Sequence, residues 1–491
     1  MKKILYTFCL LAATGSWAQE TLSSDILRYN DGIYGTARYR ALGGAFGALG
    51  GDLSALSLNP AGSAIFNHNF ASISVTDDNK ANNTSYFGNT NTRRRNTFDV
   101  SQAGIVFVFE DTEKDWNKFS IGLNYENTKN LNNNLKVSGT NANNSGAAYF
   151  VNQANGISLD DLDYFYYDEW DFGGQQANLG YNAFIINPVD DMDGANVLYE
   201  NNYETLGNYY QENSYRETGY NGKFTFNFGT SFKDKLMLGA NLNLHFSDFI
   251  KNSSFFESTS GTPTTGLQNF QFDNELHTFG NGVSLQVGAI AKASEHIRVG
   301  FSYQSPTWMN LTDELTQRVV SRTADNIYNI DPNVINIYPE YKIRTASKVT
   351  FSGAFVHKKG LLSLDVATQD HTKSKFKPKT DAFYSQLNNQ IATEMDKSVT
   401  VALGGEYIIK QFALRGGYRM EGSPYKNKDV MGDLTALSLG LGYSFGASKL
   451  DASFVNNQRT YADRLLTSGL NNMAVVNLNN NMYSLTYSFN F

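Results

Sequence analysis

The chain has 491 residues; 14% are aromatic, 42 are glycine, only 8 are proline, and the formal charge is −7. That acidic balance argues against a nucleic-acid partner, and no apolar run approaches the roughly 18 residues that a membrane-spanning helix needs. The single cysteine, Cys9, excludes a disulfide framework, so stability has to come from a large fold.

The first residues read as an export signal, 1–18. Lys2 and Lys3 form a positive start, Ile4 to Ala13 an apolar stretch, and Ser16 and Ala18 the small residues expected before a cleavage point at Gln19. Cys9 lies inside the apolar stretch, away from that point, which argues against a lipoprotein. Loss of the leader, which holds two lysines and no acid, takes the charge from −7 to −9 and leaves no cysteine.

Residues 19–69 read as short helices and turns. Gly44, Gly47 and Gly50 are spaced by three with no strand leading into them, so a phosphate-binding loop is not supported. Farther on, Pro60 restricts Asn59 to extended geometry and ends any helix through Leu53–Leu58. Asn59 can hydrogen-bond the turn backbone, and Gly62 lets the chain reverse. A segment this small-residued and glycine-rich is not stable alone. It fits as a helical hatch plugging the lumen of a wide barrel.

From residue 70 to 491, period-two alternation predicts fourteen strands. They fall at 70–76, 102–109, 118–126, 222–232, 236–246, 280–292, 296–304, 346–357, 360–370, 397–408, 410–420, 434–445, 448–458 and 482–491. Leu236, Leu238, Leu242 and Leu244 mark one face of the fifth strand, with Asn241, Asn243 and His245 on the other. His245 therefore reads as a satisfied lumen residue. Tight turns such as Lys233-Asp234-Lys235 alternate with long connections at 77–101, 127–221, 247–279, 305–345, 371–396, 421–433 and 459–481. Short periplasmic turns and long external loops are the pattern of an outer-membrane barrel. The fold class expected is all-β: a transmembrane antiparallel β-barrel of about 14 strands with an N-terminal hatch.

The largest loop, 127–221, holds an aromatic-acidic block, Leu159 to Asp171. It reads either as a folded cap with solvated acids or as an external docking surface. Arg93-Arg94-Arg95 reads either as a solvated charge run or as a partner for lipopolysaccharide phosphates. Asp190 to Gly194 has a trace of a calcium loop but lacks the far oxygen ligand. The six histidines are scattered, with no metal-ligand spacing and no evident serine partner. No catalytic residue, metal or cofactor is expected. The chain stops on Tyr483, Leu485, Tyr487, Phe489 and Phe491, one apolar face of a final strand with a terminal aromatic.

The run Gly51-Asp52-Leu53-Ser54-Ala55-Leu56-Ser57-Leu58-Asn59-Pro60-Ala61-Gly62 resembles the hatch of the FadL family of outer-membrane transporters. The resemblance implies a fourteen-stranded plugged barrel that takes up long-chain fatty acids or other hydrophobic molecules. It implies hatch contacts from Phe46, Leu53, Leu56 and Leu58, and hatch geometry set by Asn59, Pro60, Ala61 and Gly62. It also implies a sideways exit at a kinked third strand, where Gly122 is the candidate lateral gate. A carboxylate-binding cation is expected, with Arg38, Arg40 and the strand cations all open. The expected partners are a hydrophobic ligand and outer-membrane lipids, including lipopolysaccharide. The 127–221 loop, longer than the family pattern, keeps a second reading open: an accessory subunit of a secretion or barrel-assembly complex, bound to another envelope protein.

Overall fold

The computed structural model describes residues 23–29, 32–111, 113–204, 207–259 and 265–491; the expected signal peptide lies outside them. Fourteen antiparallel strands form the wall: β1 (Phe70–Tyr86), β2 (Asn89–Glu110), β3 (Trp116–Asn130), β4 (Tyr209–Phe232), β5 (Leu236–Ser258), β6 (Leu267–Lys292), β7 (Ile297–Gln304), β8 (Lys348–His357), β9 (Gly360–Asp370), β10 (Lys397–Ile409), β11 (Phe412–Glu421), β12 (Leu434–Ser444), β13 (Ser448–Arg464) and β14 (Met473–Asn490). Four of them have separate outer pieces: Asn133–Asn141 after β3, Trp308–Thr323 after β7, Tyr341–Arg344 before β8 and Lys375–Lys377 after β9. Successive strands pair, and β14 pairs with β1 from Phe70↔Asn490 to Ser85↔Val475. The sheet thus closes on itself and has no free edge.

Alternation sorts the side chains. Leu437, Leu439 and Leu441 on β12, and Tyr483, Leu485, Tyr487 and Phe489 on β14, are exposed on the outer face. Their neighbours turn inward and bond one another in rows, as Asn227 does to Asn241 and Asn241 to Gln286. His245 bonds Ser284 at 2.8 Å on that inner face. An apolar exterior around a polar, bonded interior is the arrangement of a transmembrane barrel of outer-membrane type.

All fourteen predicted strands are present, but several expected loops are not loops. Residues 77–101 are the outer halves of β1 and β2, joined by a turn at Phe87-Gly88. Most of 247–279 and much of 305–345 are likewise strand. The strands run past the apolar belt. There the outer face meets water, so the apolar half of the alternation disappears and the sequence looks like a polar loop. The long connection 127–221 also begins and ends as strand, and its core is a helical cap: α1 (Ala147–Ala154), α2 (Leu159–Tyr164) and α3 (Phe172–Asn182). Tyr149 and Phe150 of α1 pack on Phe272 of β6 (ring centroids 5.9 and 5.3 Å), within an apolar cluster that also takes in Leu135, Val319, Leu465 and Val476. This cap sits in the outer mouth of the barrel. Asp160, Asp161, Asp163 and Asp168 are solvated, while Tyr167 turns in to bond Gln317. Asp190 and Asp193 close short turns on the N–H groups of Met192 and Ala195.

Candidate functional site: the plugged lumen

The segment before β1 folds inside the barrel. Thr36 caps a short helix, Ala37–Ala41, accepting from Tyr39 N, and its hydroxyl donates to Asp52 at 2.8 Å. Asp52 also accepts from Ser54 N at 2.9 Å, which ties the start of the plug to its middle. Asn59 is extended (φ −141°), its side chain accepts from Ala61 N, and Pro60 opens a 3₁₀ turn, Pro60–Ile65. This is the geometry expected of Asn59-Pro60-Ala61-Gly62.

The plug is tied to the wall chiefly through its backbone. Asn227 donates to the Pro60 carbonyl (3.0 Å), Asn241 to Leu56 O (2.8 Å), and Gln286 and Ser302 to Leu58 O (2.9 and 2.7 Å). Asn59 Nδ2 donates to Gly47 O inside the plug and to Ala289 O in β6. Such close approach needs glycine in the wall. A Cβ on Gly239 would lie 2.4 Å from Pro60 C, and one on Gly288 2.0 Å from Asn59 Oδ1. Farther round, Arg38 pairs with Glu406 (3.1 Å), which pairs with Arg415 (2.5 Å), which reaches Asp451 (2.6 Å).

Above the plug lies a lumenal cavity of about 410 Å³. Its apolar lining includes Leu27, Ile33, Leu131, Phe249, Leu478 and Met482; Lys80, Lys129, Lys348 and Arg459 supply charge. His371, in a 3₁₀ turn beyond β9, also lines it; burial pushes this imidazole down to about 4. A chamber of about 40 Å³ lies beside the plug, between Tyr34, Tyr39, Leu58 and Glu126.

The cavity reaches a seam in the wall. β2 and β3 share a ladder only from Gln102↔Glu126 to Glu110↔Lys118. Beyond it, the outer part of β2 pairs with β1 alone, and Asn133–Asn141 with β4 alone. Side chains bridge the break: Lys80 Nζ donates to the carbonyls of Asn130 (2.6 Å) and Asn132 (2.9 Å), and Asn130 to Thr97 (2.6 Å). Phe98 and Val100 stand exposed on the outer face of β2 beside it.

No protein-family model matches this chain, and no curated protein matches it in sequence. Solved structures do. A Pseudomonas aeruginosa FadL homologue superposes with a TM-score of 0.53 at 14% identity, covering 94% of this chain and 99% of its own. The P. putida toluene transporter TodX gives the same values. The chain has the FadL fold.

Within that fold the expected hatch residues separate into two groups. Phe46, Leu53 and Leu56 are fully buried in the plug's own packing, Phe46 against Tyr39 and Leu53 and Leu56 near Phe66 and Val106. Leu58 alone of the four lines a cavity, the smaller chamber. Asn59 to Gly62 form the turn held to β4, β5 and β6. Arg38 is engaged by Glu406, and Arg40 is wholly buried and donates to Gly35 O at 3.1 Å. The cations that face the large cavity are Lys80, Lys129, Lys348 and Arg459. Gly122 lies in an intact stretch of ladder, opposite Val106 and Asn227, and faces Leu56. The break in pairing is farther out, past Glu126. The cavity's wall residues went unread because they sit on the outer halves of strands, where the sequence resembles loop; an inward row at Asp78, Lys80, Asn82 and Thr84 was the available signal.

Proposed function

We propose that this protein carries hydrophobic small molecules inward across the outer membrane, with long-chain fatty acids the substrates that suit it best. The observation that carries this reading is the cavity above the plug. Its volume falls in the range of about 300–1,000 Å³ usual for small-molecule sites. Each methylene placed against Leu131, Phe249, Leu478 and Met482 contributes on the order of 0.8 kcal/mol, and the nearby ammonium groups suit a carboxylate end. FadL homologues and a toluene transporter share the fold, which supports a hydrophobic cargo. An accessory subunit would need no such cavity.

In this reading the ligand enters past the helical cap, rests above the plug and leaves sideways through the seam between β2 and β3. The expected gate thus belongs to Thr97, Lys80 and Asn130, with Gly122 as a pivot against Leu56 beneath it. Thr97→Cys with Asn130→Cys tests the route in a mature chain that otherwise has no cysteine. Oxidation should stop uptake of a labelled fatty acid, and reduction should restore it. Full uptake by the oxidised, cross-linked barrel would rule the seam out.

A further inference from the structure

The outer wall carries a cationic ladder that the uptake route does not use. Tyr341–Arg344 pairs antiparallel with Lys375–Lys377, so that Lys342 faces Lys377 and Arg344 faces Lys375. Ile343 and Phe376, the pair between them, are 1% and 0% exposed and belong to the interior cluster around Tyr341 and Ile391. Alternation therefore turns all four cations outward. Like charges directly opposite across a ladder repel. Among the described residues, none of the four makes an ion pair with a carboxylate, and Lys375 Nζ reaches only the Asn388 carbonyl, at 3.3 Å. Lys373 and Lys379 follow the same short segment, with no acid from 371 to 380. This concentration stands out in a chain of net charge −7.

Its height on the barrel is defined. Arg344 is paired with Trp308, which is exposed on the outer face at the end of the apolar row Val299, Phe301 and Tyr303. On β9 and β10 the outermost exposed apolar residues are Val366 and Val399. The ladder begins where the belt stops, beside a tryptophan, at the level of lipid headgroups. By contrast, strand alternation divides Arg93-Arg94-Arg95: only Arg94 shares the face of Phe98 and Val100, so that run forms no patch.

We propose that Lys342, Arg344, Lys375 and Lys377 bind the phosphate groups of an outer-leaflet lipid. A phosphate between the two rungs accepts from several cations at once and relieves their repulsion.

The test uses the full-length protein in detergent and a fourfold variant, Lys342→Gln, Arg344→Gln, Lys375→Gln and Lys377→Gln. The probes are lipid A and inorganic phosphate at matched phosphate concentration; the readout is the thermal unfolding midpoint. Lipid A should raise the wild-type midpoint, at least tenfold more lipid should be needed for the variant, and inorganic phosphate should leave both unmoved. Without lipid the variant should melt no lower than wild type, since only repulsion is removed. The pair Lys342→Gln and Lys377→Gln, which deletes one rung, should show an intermediate loss and keeps the test decisive if the fourfold variant does not assemble. An equal response to lipid A in wild type and variants, or a wild-type shift reproduced by inorganic phosphate alone, would overturn the proposal.

Discussion

Asp365 and Phe46 join the barrel wall to its plug: one carboxylate oxygen of Asp365, on β9, accepts the Phe46 N–H at 2.8 Å and the adjacent Gly47 N–H at 2.9 Å. Two buried backbone donors depend on that one oxygen. Asp365→Ala leaves both unmet, at a cost of about 2–4 kcal/mol to the plug–wall contact. The barrel ladder does not need this residue. Hydrogen exchange at residues 45–48 should accelerate while exchange in β12 to β14 stays unchanged. Uniform acceleration would mean that Asp365 supports the barrel as a whole.

The wall glycines make a second prediction. Gly288→Ala sets a methyl group against Asn59 Oδ1, whereas a Cβ on Gly353 meets nothing within 4 Å. Gly288→Ala should loosen the plug and raise ion conductance across planar bilayers, and Gly353→Ala should leave conductance at the wild-type level. Equal conductance in the two variants would show that the plug does not rest on β6 in this way.

The strands were legible where one face meets lipid. Leu236 to Leu244 and Tyr483 to Phe491 alternate because half their side chains need an apolar surround. Beyond the belt that requirement ends, and Asn79 to Thr84 carries no apolar face to read, though it is strand in the fold. The plug motif was legible because Asn59 and Pro60 dictate their own backbone. The cavity was not, because it is assembled from Leu131, Phe249 and Met482, which are distant in sequence and brought together only by barrel closure.

Glu257, at the outer end of β5, fastens both ends of the cap. It accepts from Ser145 Oγ and Gly146 N (2.6 Å) where the cap begins, from Tyr203 (3.2 Å) where it ends, and from Gln211 (2.7 Å). Glu257→Ala strands four buried donors, and the cap should open at a cost of about 3 kcal/mol. Limited proteolysis should then cut within 142–208 at rates well above wild type, with the barrel strands still protected. Unchanged cleavage would mean the apolar cluster alone holds the cap.

His371 gives the fold a pH dependence. Its pKa in the fold is about 4, below the ordinary value near 6.5, so the unfolded chain takes up the proton first as pH falls. The stability this neutral imidazole contributes is complete above the ordinary value and is lost as pH drops toward 4, at about 1.4 kcal/mol per pH unit. His371→Asn should flatten the unfolding midpoint between pH 6.5 and 4.5. An unaltered slope would place the acid sensitivity elsewhere.

Equilibrium binding of a labelled long-chain fatty acid to the purified barrel tests the central claim most directly, with wild type measured beside Leu131→Trp and Met482→Trp, which fill the cavity. The account predicts one saturable site in the wild type and at least tenfold weaker binding in both variants. Binding that is unsaturable, or equally tight when the cavity is filled, would contradict it.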